Sequence, residues 1–210
     1  QMVEDVLPWE QMKLRMLNGS HSFLAYLGYL AGYAHINECM QDDSFREAAR
    51  RLMLNEQAPT LRITNVDLTA YADSLLDRFA NPALQHRTWQ IAMDGSQKLP
   101  QRMLDGIRMH LERNTAWPLL ALGVAGWMRY VSGTDDQGNA IDVRDPLSDK
   151  FQAIVASSSD AERVSALLTL KEIFGDDLPQ NPVFVEAITG AYQRLVRLGA
   201  RQAVIETLKI

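Results

Sequence analysis

Three side chains near the start of the chain could together handle a proton and an oxygen atom. Lys13, Asn18 and His21 lie within nine residues of one another. A lysine in a partly desolvated site has a lowered pKa and can exchange a proton with a hydroxyl group. An amide and an imidazole N–H can hydrogen-bond the same oxygen and stabilise charge that develops there. These residue types therefore suit proton transfer at an alcohol or a ketone.

The spacing of these residues leaves more than one interpretation open. On a straight α-helix, Lys13 is rotated from His21 by about 80° and from Asn18 by about 140°. A bend at Gly19 or the length of the side chains could make the three groups converge. A glycine here is compatible with a kink, a close approach by a ligand or a simple helix break. A solvated lysine and a hydrogen-bonded core histidine would give the same pattern.

A second polar segment runs from Gln85 to Arg102 and includes His86 and Arg87. It contains Lys98 and the run Asp94-Gly95-Ser96, which is typical of a turn that starts a helix. The unpaired N–H groups of a helix start favour anions. With Lys98 and Arg102 nearby, the segment could bind a carboxylate or several hydroxyls. A polar loop between helices is the alternative.

Helical periodicity dominates the elements that must position these residues, so we predict one all-α domain over residues 1–210. We expect capping boxes at 44–47 and 159–162 and helix starts at the two Asn-Pro pairs, 81–82 and 181–182. The only plausible extended pieces are 61–63 and 141–143, and 132–139 reads as a polar loop. Helices are predicted over 9–34, 44–56, 67–79, 97–113, 117–130, 159–174 and 182–198, with a short piece after Gly199.

Several motifs are missing from the sequence. No glycine-rich dinucleotide or P-loop motif occurs, and Gly123 and Gly126 are expected to be helix-packing positions inside an apolar helix. No CxxC, HExxH or EF-hand pattern occurs, so we expect no protein-built metal site. The chain therefore lacks the parts for binding a dinucleotide by itself.

Composition narrows the class of protein further. The 210 residues are 47% hydrophobic and carry a net charge of −5, which argues against nucleic acid as a partner. No signal peptide or membrane span is apparent. The single cysteine, Cys39, is expected to be a buried thiol in a reducing compartment, so we expect a cytoplasmic protein. The absence of any lead-in before the first helix favours a fragment.

Together the two polar segments resemble the C-terminal domain of the polyol-specific long-chain dehydrogenase, or mannitol dehydrogenase, family. Lys13, Asn18 and His21 match its K-x4-N-x2-H signature. The run 89–102, WQIAMDGSQKLPQR, is similar to the fructuronate reductase (mannonate oxidoreductase) branch. The short sequence segments 16–22, 56–60 and 122–127 are also similar to that branch, so the resemblance covers nearly the whole chain.

The resemblance implies a multi-helical domain, of the 6-phosphogluconate dehydrogenase C-terminal type, in a two-domain enzyme. An N-terminal Rossmann domain, absent from this chain, would bind NAD, and hydride would move between nicotinamide and a secondary alcohol or ketone without a metal. Lys13 would be the general acid/base, Asn18 and His21 would hold the reacting oxygen, and Lys98 would lie in the substrate pocket. The chain by itself is then expected to be inactive.

The sequence departs from the family's mannitol dehydrogenases at Gln90, where those proteins have an arginine eight residues before the pocket lysine. This disfavours mannitol, and Arg87 and Arg102 become candidates for binding a sugar-acid carboxylate. We expect an NAD-dependent reductase of a keto-hexuronate, such as fructuronate going to mannonate. A mannitol or other sugar-alcohol dehydrogenase is an alternative, and so is a non-catalytic helical interaction module.

Overall fold

The computed structural model describes the backbone of residues 2–210 and the side chains of residues 6–210, and it confirms the predicted all-α class. Regular structure in the described chain is helical, and its only β-type pairings are two isolated bridges, His35 with Arg87 and Thr134 with Ala140. The α-helices are α1 (Met2–Met12), α2 (Gly19–Ala31), α3 (Ile36–Gln41), α4 (Asp43–Arg51), α5 (Leu68–Ala80), α6 (Thr88–Ile91), α7 (Gly95–Leu99), α8 (Asp105–Arg113), α9 (Pro118–Val131), α10 (Ser148–Ser157), α11 (Asp160–Leu167), α12 (Lys171–Phe174), α13 (Pro182–Leu198) and α14 (Ala200–Thr207).

Three stretches of the chain are π-helical, with i→i+5 hydrogen bonds: π1 (Lys13–Asn18), π2 (Leu52–Gln57) and π3 (Pro100–Leu104). π1 joins α1 to α2 without interruption, and π3 joins α7 to α8. The alternative of a simple helix break at Gly19 is therefore wrong, because Gly19 has helical dihedral angles and its N–H bonds to the carbonyl of Leu14.

Helix α9 forms the centre of the core, between α2 and α13. Gly123 and Gly126 let α2 approach: a Cβ at Gly123 would lie 3.2 Å from Phe23, and one at Gly126 would lie 2.9 Å from Leu27. The predicted helix-packing role of these two glycines is confirmed. Cys39 is buried against α2, as expected, and its burial raises the pKa of the thiol.

The N-terminus of α9 is held by a buried carboxylate from another segment. The two oxygens of Glu56 accept hydrogen bonds from the backbone N–H groups of Leu119 and Leu120, at 3.0 and 2.8 Å. Burial raises the pKa of Glu56 to about 7, and the two N–H donors limit the rise. A helix end inside the protein needs such a partner, so Glu56 fixes where α9 begins.

Some predicted element boundaries are confirmed by caps within the same segment. Asp67 accepts from the N–H of Ala70 at the start of α5, and Asn181 accepts from Val183 and Phe184 at the start of α13. Asn81 caps a short 3₁₀ turn in the same way, and 132–139 is a loop.

Other boundaries differ from the prediction. The cap of α4 is Asp42, which accepts from Ser44, so the expected box opening at Ser44 is wrong. The hydroxyl of Ser159 donates to the carboxylate of Glu162 and accepts no backbone N–H of α11. The helix predicted over 159–174 is divided in two, since α11 ends at Leu167 and α12 is a separate helix. Residues 61–63 and 141–143 are not strands, and α10 was not predicted. No helix of residues 2–210 is both long and apolar enough to cross a membrane.

Candidate active site

The π-helical segment brings the three residues of the first motif onto one face. Residues joined by i→i+5 hydrogen bonds lie one turn apart, so Lys13 and Asn18 are stacked along π1. Asn18 and His21 are three residues apart where the α-helix resumes, which also makes them neighbours on the surface. The rotation of about 140° expected between Lys13 and Asn18 on a straight α-helix is thereby reduced.

Burial differs sharply among these three residues. Lys13 is exposed, Asn18 is half-buried, and the Nε2 atom of His21 is fully buried without a hydrogen-bond partner in the described structure. The expected partial desolvation of Lys13 is therefore not provided by this chain. A buried polar atom that lacks a partner is uncommon in a folded protein and indicates a place for a ligand or water.

His21 lies in a compact aromatic and basic environment. Its ring stacks on Phe79 of α5, with centroids 4.7 Å apart, and the ring of His86 meets it edge-on at 5.4 Å. Burial lowers the pKa of His21 to about 4, and the neighbouring His86, Arg102, Arg78 and Lys98 lower it further, in that order. The imidazole is therefore neutral at neutral pH, so one of its nitrogens donates a hydrogen bond and the other accepts one.

The second polar segment is brought to the first by Arg102. Its guanidinium donates to the hydroxyl of Ser22 at 2.9 Å and lies 3.4 Å from the carbonyl oxygen of Asn18. Burial lowers the pKa of Arg102. Arg102 therefore holds the backbone that carries Asn18 and contributes positive charge near His21, rather than standing free for a carboxylate.

Lys98 is half-buried on α7. Its Nζ donates to the carbonyl of Ile91 at 3.0 Å, which ties α7 to the end of α6. Burial lowers the pKa of Lys98, the neighbouring Arg102 lowers it further, and Asp94 opposes the change. Gln90 lies on α6 next to Ile91 and is exposed, so its helix borders the Lys98 region.

Two candidate anion-binding groups of this segment have partners within the chain. The N-terminus of α7 is already occupied, because Asp145 accepts from the N–H of Ser96 at 2.9 Å and from its hydroxyl at 2.6 Å. Arg87 is exposed and lies over the indole of Trp89, 5.8 Å from its centroid. Asp145 thus takes the backbone N–H that an anion would need at α7, and the assignment of Arg87 as a carboxylate ligand stays a prediction.

Sequence reasoning missed the residues that form the surroundings of His21. Phe79 and Arg78 come from α5, and His86 comes from the segment before α6. They are more than fifty residues away along the chain, so no local spacing could have placed them there. The only available signal was the pair of histidines, 21 and 86, each lying in a segment that had been singled out.

The arrangement fits a reacting oxygen better than it fits a whole dinucleotide. The orphaned His21 nitrogen marks a place for one hydrogen-bonding group, and the amide of Asn18 and the amine of Lys13 are of types that can hydrogen-bond a hydroxyl or carbonyl oxygen. Residues 2–210 contain no strand that leads through a glycine turn into a helix, the element that cradles a dinucleotide pyrophosphate. Among the described residues, that type of phosphate cradle is therefore not present.

Comparison with known proteins defines the class. The chain belongs to the family described as the mannitol dehydrogenase C-terminal domain, whose sequence model matches residues 5–196. This agrees with the helical fold and with the pattern of Lys13 and Asn18 on π1 and His21 at the start of α2.

Individual relatives cover the whole chain. It is 74% identical over 210 residues to the uncharacterized oxidoreductase YeiQ of Escherichia coli K12, spanning 100% of this chain and 43% of the relative. It is 62% identical to the D-mannonate oxidoreductase of the same organism, over 97% of this chain and 42% of that protein. A solved ternary complex of Pseudomonas fluorescens mannitol 2-dehydrogenase with NAD and D-mannitol superposes with a TM-score of 0.90 at 35% identity, covering 96% of this chain and 41% of that one. The chain thus spans about two fifths of the length of these relatives.

Proposed function

We propose that this chain is the substrate-binding and catalytic half of an NAD-dependent oxidoreductase that interconverts a keto-hexuronate and an aldonate, of the fructuronate and mannonate type. The buried, unpartnered Nε2 of His21, on the face that carries Lys13 and Asn18, is the observation that carries this proposal. A buried nitrogen without a partner is costly, so a substrate oxygen that bonds to it is favoured.

In the proposed reaction, the chain's own residues bind the substrate oxygen and move a proton. When bound, the nicotinamide supplies hydride to the ketone carbon. Asn18 and neutral His21 hydrogen-bond the carbonyl oxygen, and their bonds strengthen as negative charge develops there. Lys13 donates the proton that converts this oxygen into a hydroxyl, and it accepts the proton in the reverse direction.

The preference for an acid substrate is supported by charge and by sequence similarity. Arg78, Lys98, Arg102 and His86 surround His21, although the chain as a whole carries a net charge of −5. Identity to the D-mannonate oxidoreductase is 62%, against 35% to the mannitol 2-dehydrogenase of known structure. A basic pocket on an acidic protein suits a small anionic ligand.

A second domain completes the proposed enzyme. The relatives are more than twice as long as this chain, and α1 exposes three large apolar side chains, Val6, Leu7 and Trp9, at 49–56%. Exposed apolar groups on one helix suit coverage by another body. We assign NAD binding mainly to an N-terminal Rossmann domain that also covers Lys13, and we place the protein in the cytoplasm, in keeping with its single reduced cysteine.

The acid/base assignment is tested by the substitution Lys13→Ala in the complete two-domain protein. We expect kcat for fructuronate reduction to fall by about 10²–10⁴-fold, since that is the usual contribution of a general acid. Lys171→Ala, which removes an exposed lysine on α12, serves as the control and should leave kcat unchanged. A decrease of less than tenfold in the Lys13 variant would rule out the role.

A sugar-alcohol dehydrogenase is the second candidate, favoured by the superposition on the mannitol 2-dehydrogenase complex. The two candidates differ in the charge of the substrate, so the ratio of kcat/KM for fructuronate and for fructose separates them. A higher kcat/KM for the uncharged sugar would overturn the uronate assignment.

A further inference from the structure

The last turn of α5 brings a cation beside the candidate site. Phe79 packs its ring face against His21, and Arg78 precedes it in the chain. Arg78 is exposed, and in residues 6–210 its guanidinium forms neither an ion pair nor a hydrogen bond. The neighbouring carboxylate of Asp77 is directed to Arg46, 3.4 Å away. Arg78 is therefore a free positive charge at the edge of the His21 environment.

Two of the other basic groups near His21, Arg102 and Lys98, already have protein partners. Arg102 bonds the Ser22 hydroxyl, and Lys98 donates to the carbonyl of Ile91. Arg87, which the sequence had offered as a carboxylate ligand, lies over Trp89. A guanidinium forms its strongest bonds with a carboxylate, through two parallel N–H donors, and Arg78 has all five donors available.

We propose that Arg78 recognises the carboxylate of the acid substrate and thereby sets the preference for a uronate over an uncharged ketose. The inference rests on the proposed function and adds a specificity-determining residue to it. The ketone and the carboxylate of a hexuronate lie at opposite parts of a six-carbon chain. If the ketone oxygen of the substrate bonds to His21, the carboxylate at the other end of the substrate needs a cation some distance from that imidazole. Helix α5 supplies this cation as Arg78, the residue next to Phe79.

The position of Arg78 also explains why it need not take part in the chemistry. Its side chain is exposed, and it is the ring of Phe79, the next residue of α5, that contacts the imidazole. Substrate binding at Arg78 would place a negative charge near this basic group and offset its mutual repulsion. The expected consequence of losing Arg78 is weaker uronate binding with an unchanged proton-transfer step.

The test uses the complete two-domain protein with Arg78→Gln, Arg78→Lys and the control Arg62→Gln. Arg62 is also exposed, so its substitution removes the same charge elsewhere on the surface. We expect Arg78→Gln to raise KM for fructuronate about tenfold or more, as the loss of a charge-assisted hydrogen bond implies. The value of kcat, and kcat/KM for fructose, should change by less than about twofold, and Arg78→Lys should recover part of the loss.

The outcomes separate the inference from the function on which it rests. Equal behaviour of Arg78→Gln and Arg62→Gln in a protein that reduces fructuronate would overturn the role of Arg78 alone. An equal loss of kcat/KM with fructuronate and with fructose in the Arg78→Gln variant would also overturn it. A change in folding or in the rest of the site would affect both substrates alike, whether or not they carry a carboxylate. A wild-type protein that reduces only fructose would overturn both proposals.

Discussion

His21 shows how the surroundings of one residue decide its charge. Its ring is stacked on Phe79 and surrounded by basic groups, and its pKa falls to about 4 from an ordinary value of 6.5. Burial penalises the charged imidazolium first, and the neighbouring cations penalise it further. At neutral pH the site therefore presents a neutral imidazole, which is suited to hydrogen-bonding an oxygen rather than to acting as a cation.

The depressed pKa has a consequence for stability at low pH. The unfolded chain binds a proton at His21 near pH 6.5, whereas the folded chain resists it until about pH 4. The stabilising contribution is thus present above pH 6.5 and is lost as the pH falls through this interval. We expect the free energy of unfolding of the wild type, minus that of His21→Gln, to decrease from pH 7 to pH 4.5 in urea titrations. A constant difference over that range would contradict the assignment.

The sequence identified the three residues of the first motif but not their environment. Lys13, Asn18 and His21 follow one another within nine residues, so their types and spacing were visible. Their common face depends on a π-helical turn, which the α-helical period used in the prediction does not contain. Arg78 and His86 reach the site through the packing of α5 and of the chain before α6, and that packing is a property of the whole fold.

At the scale of elements, the three π-helical segments meet around one glutamine. Gln57, the last residue of π2, donates to the carbonyl of Arg102 in π3 at 2.7 Å. A Cβ on Gly19 would lie 2.7 Å from the Gln57 amide nitrogen and 2.9 Å from the Arg102 carbonyl. The three widened turns thus pack without space for a single added carbon, directly beside Asn18.

This close packing predicts opposite effects for two glycine-to-alanine substitutions. Gly19→Ala adds a methyl group against a backbone carbonyl, so we expect a loss of about 1–3 kcal/mol of stability. Gly190→Ala, in α13, meets nothing within 4 Å and should be neutral or stabilise the chain by up to about 1 kcal/mol. Urea unfolding of both variants makes the comparison, and an equally stable Gly19→Ala variant would show that the three segments are not tightly packed.

Element boundaries were predictable where the cap lies in the same segment. The Asn181–Pro182 pair and Asp67 both begin helices, because their side chains bond N–H groups two or three residues ahead. The starts of α7 and α9 instead depend on Asp145 and Glu56, which come from elsewhere in the chain. Such tertiary caps leave no local signature, and the anion site expected at α7 failed for this reason.

At the scale of the whole molecule, the chain has a closed core but an open site. Its interior is filled by α2, α9 and α13, while Lys13 and the apolar residues of α1 remain exposed. Proton transfer by a lysine is favoured in a desolvated setting. A second body that covers Lys13 would both exclude water there and hold the dinucleotide.

We therefore expect this chain alone to oxidise no detectable NADH in the presence of fructuronate. Adding its N-terminal half, either fused or supplied separately, should restore turnover, and the measurement is the absorbance change of NADH at matched protein concentrations. The same N-terminal half with Lys13→Ala in this chain provides the control for contaminating activity. Turnover at ordinary rates by the chain alone would contradict the proposed division of labour.

The π1 turn also determines how a change of chain length would act on the site. A π-helical turn accommodates one residue more than an α-helical turn, so removing a single residue between Lys13 and Asn18 would let the segment relax to an ordinary α-helix. The amine, the amide and the imidazole would then occupy positions i, i+4 and i+7 of that helix, which lie within about 60° of one another. All three side chains would remain on one face. The geometry of this site is consequently expected to survive a one-codon deletion within π1, whereas winding the intact segment as an α-helix would separate the amine from the amide by about 140°.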